Sequence, residues 1–169
     1  MSETNRVSYV WHEASHPPES RPIRQVYAYV FDARGRVIVL RDNGVWNLPG
    51  GTPEPEDGGD RVATLVREVW EEVQVTITDP VHLGYQTVHR PDREPYAQLR
   101  MAARLNVLGE REPDPDSGRI HVRRLCPFPE AVELLGWGPS VDGQVKCAAT
   151  TAVERWGLPV GAPAETYTD

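Results

Sequence analysis

A single mixed α/β (α+β) domain is predicted by three observations. Runs rich in β-branched and aromatic residues stand on both sides of one segment with helical spacing. Gly, Pro and Asp punctuate the boundaries between them. No internal repeat or low-complexity block occurs in the 169 residues. A hydrophobic fraction of 39% is enough for one ordinary core. The formal charge of −7 argues against coating a polynucleotide or an anionic membrane, while leaving room for a local basic pocket.

The elements follow in order. Residues 1–22 are polar and carry Pro17, Pro18 and Pro22, so they are expected to form a loosely held N-terminal extension. Strands are expected at about 24–31 and 36–41, split by Asp32-Ala33-Arg34-Gly35 in hairpin fashion. After Trp46 comes Pro49-Gly50-Gly51, where two glycines allow a ligand to approach the main chain closely. From Asp60, a plausible N-cap, Val62, Leu65, Val66, Val69 and Val73 form an apolar stripe of helical period. Three further strands are expected at 73–77, 82–88 and 97–108, then a short strand in IHVRRL, a short helix behind Pro129 and a last helix over 140–156. The domain therefore spans about 23–157, and 158–169 reads as a loose C-terminal tail.

No apolar run is long enough to span a bilayer, and the first residues lack the basic flank and apolar core of a signal peptide. A cytoplasmic protein is expected. Cys126 and Cys147 are too few for a disulfide framework and lack the pairing of a zinc site, so both read as free thiols. None of the five histidines has a partner at metal-ligand spacing, and no nucleophile elbow surrounds Ser117.

The chemistry is carried by Arg67-Glu68-Val69-Trp70-Glu71-Glu72. Glu68 lies three and four residues before Glu71 and Glu72, which places three carboxylates on one helix face. Their mutual repulsion is relieved by a hard divalent cation, for which Mg²⁺ with carboxylate, water and phosphate ligands is the natural choice. Arg67, four residues before Glu71, is placed to hold a carboxylate rotamer. A charge run of this kind is often only a solvated helix face. Leu48-Pro49-Gly50-Gly51, at loop-plus-helix distance upstream, favours a site.

Together these residues resemble the box of the Nudix hydrolase family from Gly51 to Val75. That pattern is a Gly, a spaced Glu, and then Arg-Glu-apolar-any-Glu-Glu-any-Gly-apolar. Three positions depart from it. The loop between Gly51 and Arg67 is two residues longer, Gly59 stands where the first Glu is expected, and Gln74 replaces the Gly after the paired glutamates. Glu54, Glu56, Asp57 and Asp60 are the candidates to replace the missing Glu, and Gln74 implies an altered helix C-cap.

The resemblance implies a Nudix-like α/β/α sandwich with a mixed sheet and the box helix packed on it. It also implies a metal-dependent hydrolase that cleaves a diphosphate linkage in a nucleoside diphosphate derivative. Glu68, Glu71, Glu72 and the Gly51 carbonyl would ligate Mg²⁺ or Mn²⁺, Arg67 would orient the glutamates, and Glu68 is the first choice of base. Later bases are open among Glu110, Glu112, Asp114 and Asp116. The alternative is a catalytically weak or inactive nucleotide-binding or sensor module. Partners implied are a small phosphorylated nucleotide-like substrate and a second copy of the chain, with no membrane and no broad nucleic-acid binding. Tyr27, Tyr85, Arg90 and Arg100 are candidate substrate contacts, set against their ordinary roles as core aromatics and solubilising arginines.

Overall fold

The computed structural model describes residues 6–169. Its strands are β1 (Ser8–Glu13), β2 (Ile23–Phe31), β3 (Arg36–Asp42), β4 (Val45–Asn47), β5 (Gly50–Gly51), β6 (Val75–Arg90), β7 (Arg93–Leu108), β8 (Val122–Pro127) and β9 (Tyr167–Thr168). The helices are α1 (Arg61–Val73), α2 (Phe128–Leu135) and α3 (Asp142–Trp156). One sheet runs in the order β1-β6-β7-β2-β3-β8-β9, with β4 on β3 and β5 on β2. It is mixed, because β2 and β7 are parallel while the other pairs are antiparallel.

Strand alternation divides the core into two layers. Val26, Ala28 and Val30 of β2 face α1, joining Leu65, Val69 and Val73 of that helix. Tyr29 and Phe31 face the opposite way, joining Phe128, Ala131 and Leu135 of α2 and Ala148 and Ala152 of α3. Each fully buried aliphatic side chain contributes about 1.5–3 kcal/mol, so the apolar stripe seats α1 firmly. Its first turn is capped as expected: the Asp60 carboxylate accepts the backbone N–H of Val62 at 2.9 Å and of Ala63 at 3.3 Å.

β2 and β3 pair only at Phe31 and Val37 before they separate. β5 occupies the gap, with Gly50 opposite Tyr27 and Gly51 opposite Val26.

Three expectations are corrected. Ser8–Glu13 is not loose but pairs residue for residue with Gly84–His89 of β6, and His12 stacks on Tyr85 with ring centroids 4.4 Å apart. Residues 1–5 of the expected extension lie outside the described residues. The tail is likewise tied at its end, where Tyr167 and Thr168 pair with β8 and the Asp169 carboxylate receives Arg123 at 2.7 Å. The strands expected at 73–77, 82–88 and 97–108 are two long ones; TDP makes an irregularity with Asp79 at φ 49° rather than a break. Among the described residues no helix is long and apolar enough to cross a membrane.

Candidate active site

The lengthened loop before α1 folds back onto Arg67. Pro55–Asp57 forms a 3-10 turn closed by Gly58 in the left-handed region, and Asp57 is buried beneath it. The Asp57 carboxylate accepts the Glu54 amide N–H at 2.8 Å, the Thr64 hydroxyl at 2.8 Å, and Arg67 through Nε and Nη2 at 3.0 Å each. Those bonds, Arg67 foremost, hold the Asp57 carboxyl well below the usual carboxylate range. Of the four candidates for the missing Glu, Asp57 is therefore the one anchored on the box arginine. Asp60 caps the helix, Glu54 lies 3.7 Å from Arg67, and Glu56 is exposed.

Arg67 spends its remaining donors on the site. Nη1 reaches Glu68 at 3.0 Å and Glu71 at 3.2 Å, and Nη2 reaches the Thr52 carbonyl at 2.9 Å. Loop, turn and helix thus share one guanidinium, and its planar fork suits that task better than an ammonium would.

Two glycines bring the turn against the carboxylates. A Cβ at Gly51 would lie 2.4 Å from the Glu68 carboxyl carbon, and one at Gly50 would lie 2.1 Å from the Val26 carbonyl oxygen. The Gly50 N–H donates to Glu72 at 3.0 Å. Burial pushes the Glu72 carboxyl up to about 8, opposed by that N–H and reinforced by Glu68, Asp114 and Asp42. Glu68 and Glu71 are also raised, by burial first, with Arg67 acting against it. Asp116 adds its negative charge to both.

Three crowded carboxylates, with one arginine divided between two of them and the glycine turn seated against them, are hard oxygen donors that fit a divalent cation of the magnesium type. Among the described residues no three His, Cys, Asp or Glu side chains are already gathered as a metal cage. Glu68 and Glu71 are held instead by Arg67, and Glu72 by the Gly50 N–H.

The far end of α1 explains the Gln74 departure. Gln74 sits at the C-cap with φ 50°, the left-handed region that a glycine enters more easily. Its buried side chain compensates: Nε2 donates to the carbonyls of Trp70 at 3.2 Å and Glu71 at 2.9 Å, and Oε1 accepts the Glu112 N–H at 3.2 Å. The cap thereby anchors the acidic loop 109–121. Within that loop Asp114 accepts the N–H groups of Asp116 and Ser117 and pairs with His121 at 3.1 Å, which fixes the turn carrying Asp116.

On the other face of the sheet a cavity of about 320 Å³ adjoins β5, bordered by Tyr9, Tyr27, Asn47, Gln98, Arg100 and Trp137 among others. Arg100 is 2% exposed and lies between two rings, 5.0 Å from the Tyr27 centroid and 5.5 Å from that of Trp137. Tyr27 links cavity and box, since it pairs with Gly50 across β5 and its hydroxyl group feels both Arg100 and Glu72.

The substrate candidates from sequence thus separate. Tyr27 and Arg100 border the cavity beside the box. Tyr85 does not: strand alternation turns it to the α1 side, where it is buried in the core and stacked on His12. Arg90 is also displaced from the site, because it lies at the β6–β7 turn and pairs with Asp92 at 3.1 Å. Gln25, Gln86, Gln98 and Gln144 escaped the sequence reading. Alternation offered a signal for one of them, since Gln98, like Arg100, alternates with the apolar Leu99 and Met101, putting polar groups on a buried face. Gln144 lies 44 positions from Arg100 and gave no local signal.

Solved structures share this fold. A Nudix hydrolase from Nitrosomonas europaea matches with a TM-score of 0.56 at 17% identity, over 78% of this chain and 90% of that one. A MutT protein from Bacillus halodurans matches with a TM-score of 0.51 at 16% identity, over 86% and 97%. The Ap4A hydrolase of C. elegans matches with a TM-score of 0.50 at 15% identity, over 78% and 98%. At such identities the likeness speaks for the fold alone. The family model of the NUDIX domain matches residues 21–146, so the chain belongs to the Nudix family.

Proposed function

We propose that the protein is a metal-dependent pyrophosphohydrolase that cleaves a diphosphate linkage in a nucleoside diphosphate derivative. The observation that carries this reading is the close seating of the glycine turn on the carboxylates: Gly51 leaves no room for a Cβ beside Glu68, and the Gly50 N–H holds Glu72. Glu68, Glu71 and Glu72, with the Gly51 carbonyl, would hold Mg²⁺ or Mn²⁺. When bound, such a cation neutralises phosphate oxygens and lowers the pKa of a ligated water.

The chain's own residues do the rest. Arg67, fixed by Asp57, keeps Glu68 and Glu71 in place so that little reorganisation is needed when substrate arrives. Glu68, raised by burial, is the first choice to accept the proton of the attacking water, and Asp116 on the anchored loop is the second. The cavity at Tyr27, Asn47 and Arg100 receives the non-reacting end of the substrate, one strand pair away from the box.

The binding-module alternative drew on the missing first Glu and the longer loop. Asp57 is bound to Arg67 from within the longer loop, which supports the hydrolase reading over that alternative. The test is phosphate and nucleotide release from a panel of nucleoside diphosphate derivatives, with Mg²⁺ or Mn²⁺ and again with chelator. Chelator-sensitive release supports the hydrolase. Absence of release from every compound, with a nucleotide still raising the melting temperature, replaces it with the binding module.

A further inference from the structure

Arg100 is a buried cation without a carboxylate. Among the described residues it forms no ion pair. Its position is fixed by neutral groups. Nε donates to Gln144 Oε1 at 3.0 Å, Nη1 to the Leu99 carbonyl at 3.2 Å, and Nη2 to Gln98 Oε1 at 3.2 Å.

Those acceptors are already shared. Gln144 Oε1 also takes the Tyr29 hydroxyl at 2.7 Å, and Gln98 Oε1 also takes Gln86 Nε2 at 2.6 Å. The Gln98 amide nitrogen is used in turn on Gln25. A guanidinium has five N–H groups, so these three bonds leave one N–H on Nη1 and one on Nη2. Arg100 lines the cavity beside the box, together with Tyr9, Tyr27 and Trp137.

Two unused donors on one planar guanidinium, beside an aromatic-lined cavity, call for a planar group with two adjacent acceptors. Guanine has that edge in O6 and N7. Adenine sets an amino donor beside N7 and uracil flanks each carbonyl with an N–H. Cytosine does set N3 beside O2, but its single ring offers the cavity's three aromatic side chains less stacking area than a purine. We propose that Arg100 makes this cavity selective for a guanine nucleotide. The inference rests on the nucleotide-hydrolase reading and names the base of its substrate.

The test is calorimetric binding of GDP, IDP, 7-deaza-GDP, ADP, CDP and UDP to the whole protein in chelator, where no turnover occurs. GDP binds at least roughly tenfold more tightly than ADP or UDP, the discrimination of one good bidentate contact, and more tightly than CDP through the larger stacked area of the purine. IDP, which keeps O6 and N7, matches GDP within about threefold, and 7-deaza-GDP, which loses one acceptor, falls toward ADP. Arg100→Lys, with its melting temperature measured alongside, brings the GDP and ADP affinities together by weakening GDP. Equal binding of all nucleotides, or equal binding of GDP and 7-deaza-GDP, overturns the guanine assignment and leaves the hydrolase reading standing. Failure of every nucleotide to bind overturns the guanine assignment and counts against the nucleotide reading as well. Because the deaza comparison uses the unaltered protein, the proposal stays testable if Arg100→Lys does not fold.

Discussion

The two faces of the sheet beside β5 pose opposite electrostatic problems. On the α1 face, Glu68, Glu71 and Glu72 crowd together, and Arg67 divided between two of them is the nearest compensation. On the other face, Arg100 is buried among glutamines and rings with no carboxylate to meet it. Tyr27 stands between the two and feels both. An architecture selected for stability alone would join such charges or replace them, because isolated buried charge is costly. Keeping them apart, one strand pair from each other, is what a site needs when one end of the substrate meets a cation and the other meets an arginine.

Altering the α1 face has the largest expected effect. Gly51→Ala places a methyl group against the Glu68 carboxyl and forces it to move, so kcat falls by about 100-fold, the scale of a small misplacement of catalytic groups. Steady-state kinetics check this, and a kcat within twofold of the parent would mean that Glu68 is free to shift without consequence. Asp57→Asn comes next, with a loss on the order of 10–100-fold, because Asp57 acts through Arg67 rather than on substrate. Glu56→Gln, at an exposed position, leaves activity unchanged. Equal losses from the two substitutions would remove Asp57 from its anchoring role.

The opposite face answers with a different kinetic signature. Arg100→Lys raises KM by roughly tenfold with little change in kcat, as expected for an interaction made equally in the bound and transition states. A fall in kcat at constant KM would place Arg100 in the chemistry and dissolve the division between the faces. The smallest effect belongs to the end of α1. Gln74→Gly relieves a left-handed backbone but removes three side-chain hydrogen bonds, for a net loss of about 1–2 kcal/mol. For a domain of this size that lowers the melting temperature by about 2–8 °C, and a rise would show that strain outweighs the bonds.

How much of this was legible in sequence differs between the same two faces. The box is local: Arg67 to Glu72 lie on two turns of one helix, so spacing alone places them together, and the Asp60 cap and the Pro49-Gly50-Gly51 turn are equally short-range. The replacement of the first Glu was not legible, since Asp57 reaches Arg67 only because a 3-10 turn closed by Gly58 folds the longer loop inward. The cavity is assembled from β1, β2, β4, β6, β7 and the segment after α2, and no spacing rule brings Tyr9, Tyr27, Asn47, Gln86, Arg100 and Trp137 together. Tyr27 and Tyr85 looked equivalent as strand aromatics until the pairing of β7 with its two neighbours turned them to opposite faces. The edge strands β1 and β9 were missed for the related reason that polar, proline-flanked segments gain strand structure only from the partner they pair with.

The most direct measurement compares turnover by the parent protein and Glu72→Gln on a cleaved nucleoside diphosphate derivative, with Mg²⁺ and with chelator, alongside their melting temperatures. The account predicts that chelator abolishes turnover by the parent. The variant, even with Mg²⁺, loses about 10²–10³-fold while melting no lower, because the amide keeps the shape of a carboxyl that burial already favours neutral and keeps an oxygen for the Gly50 N–H. Turnover by Glu72→Gln equal to that of the parent would contradict the assignment of the box as a cation site.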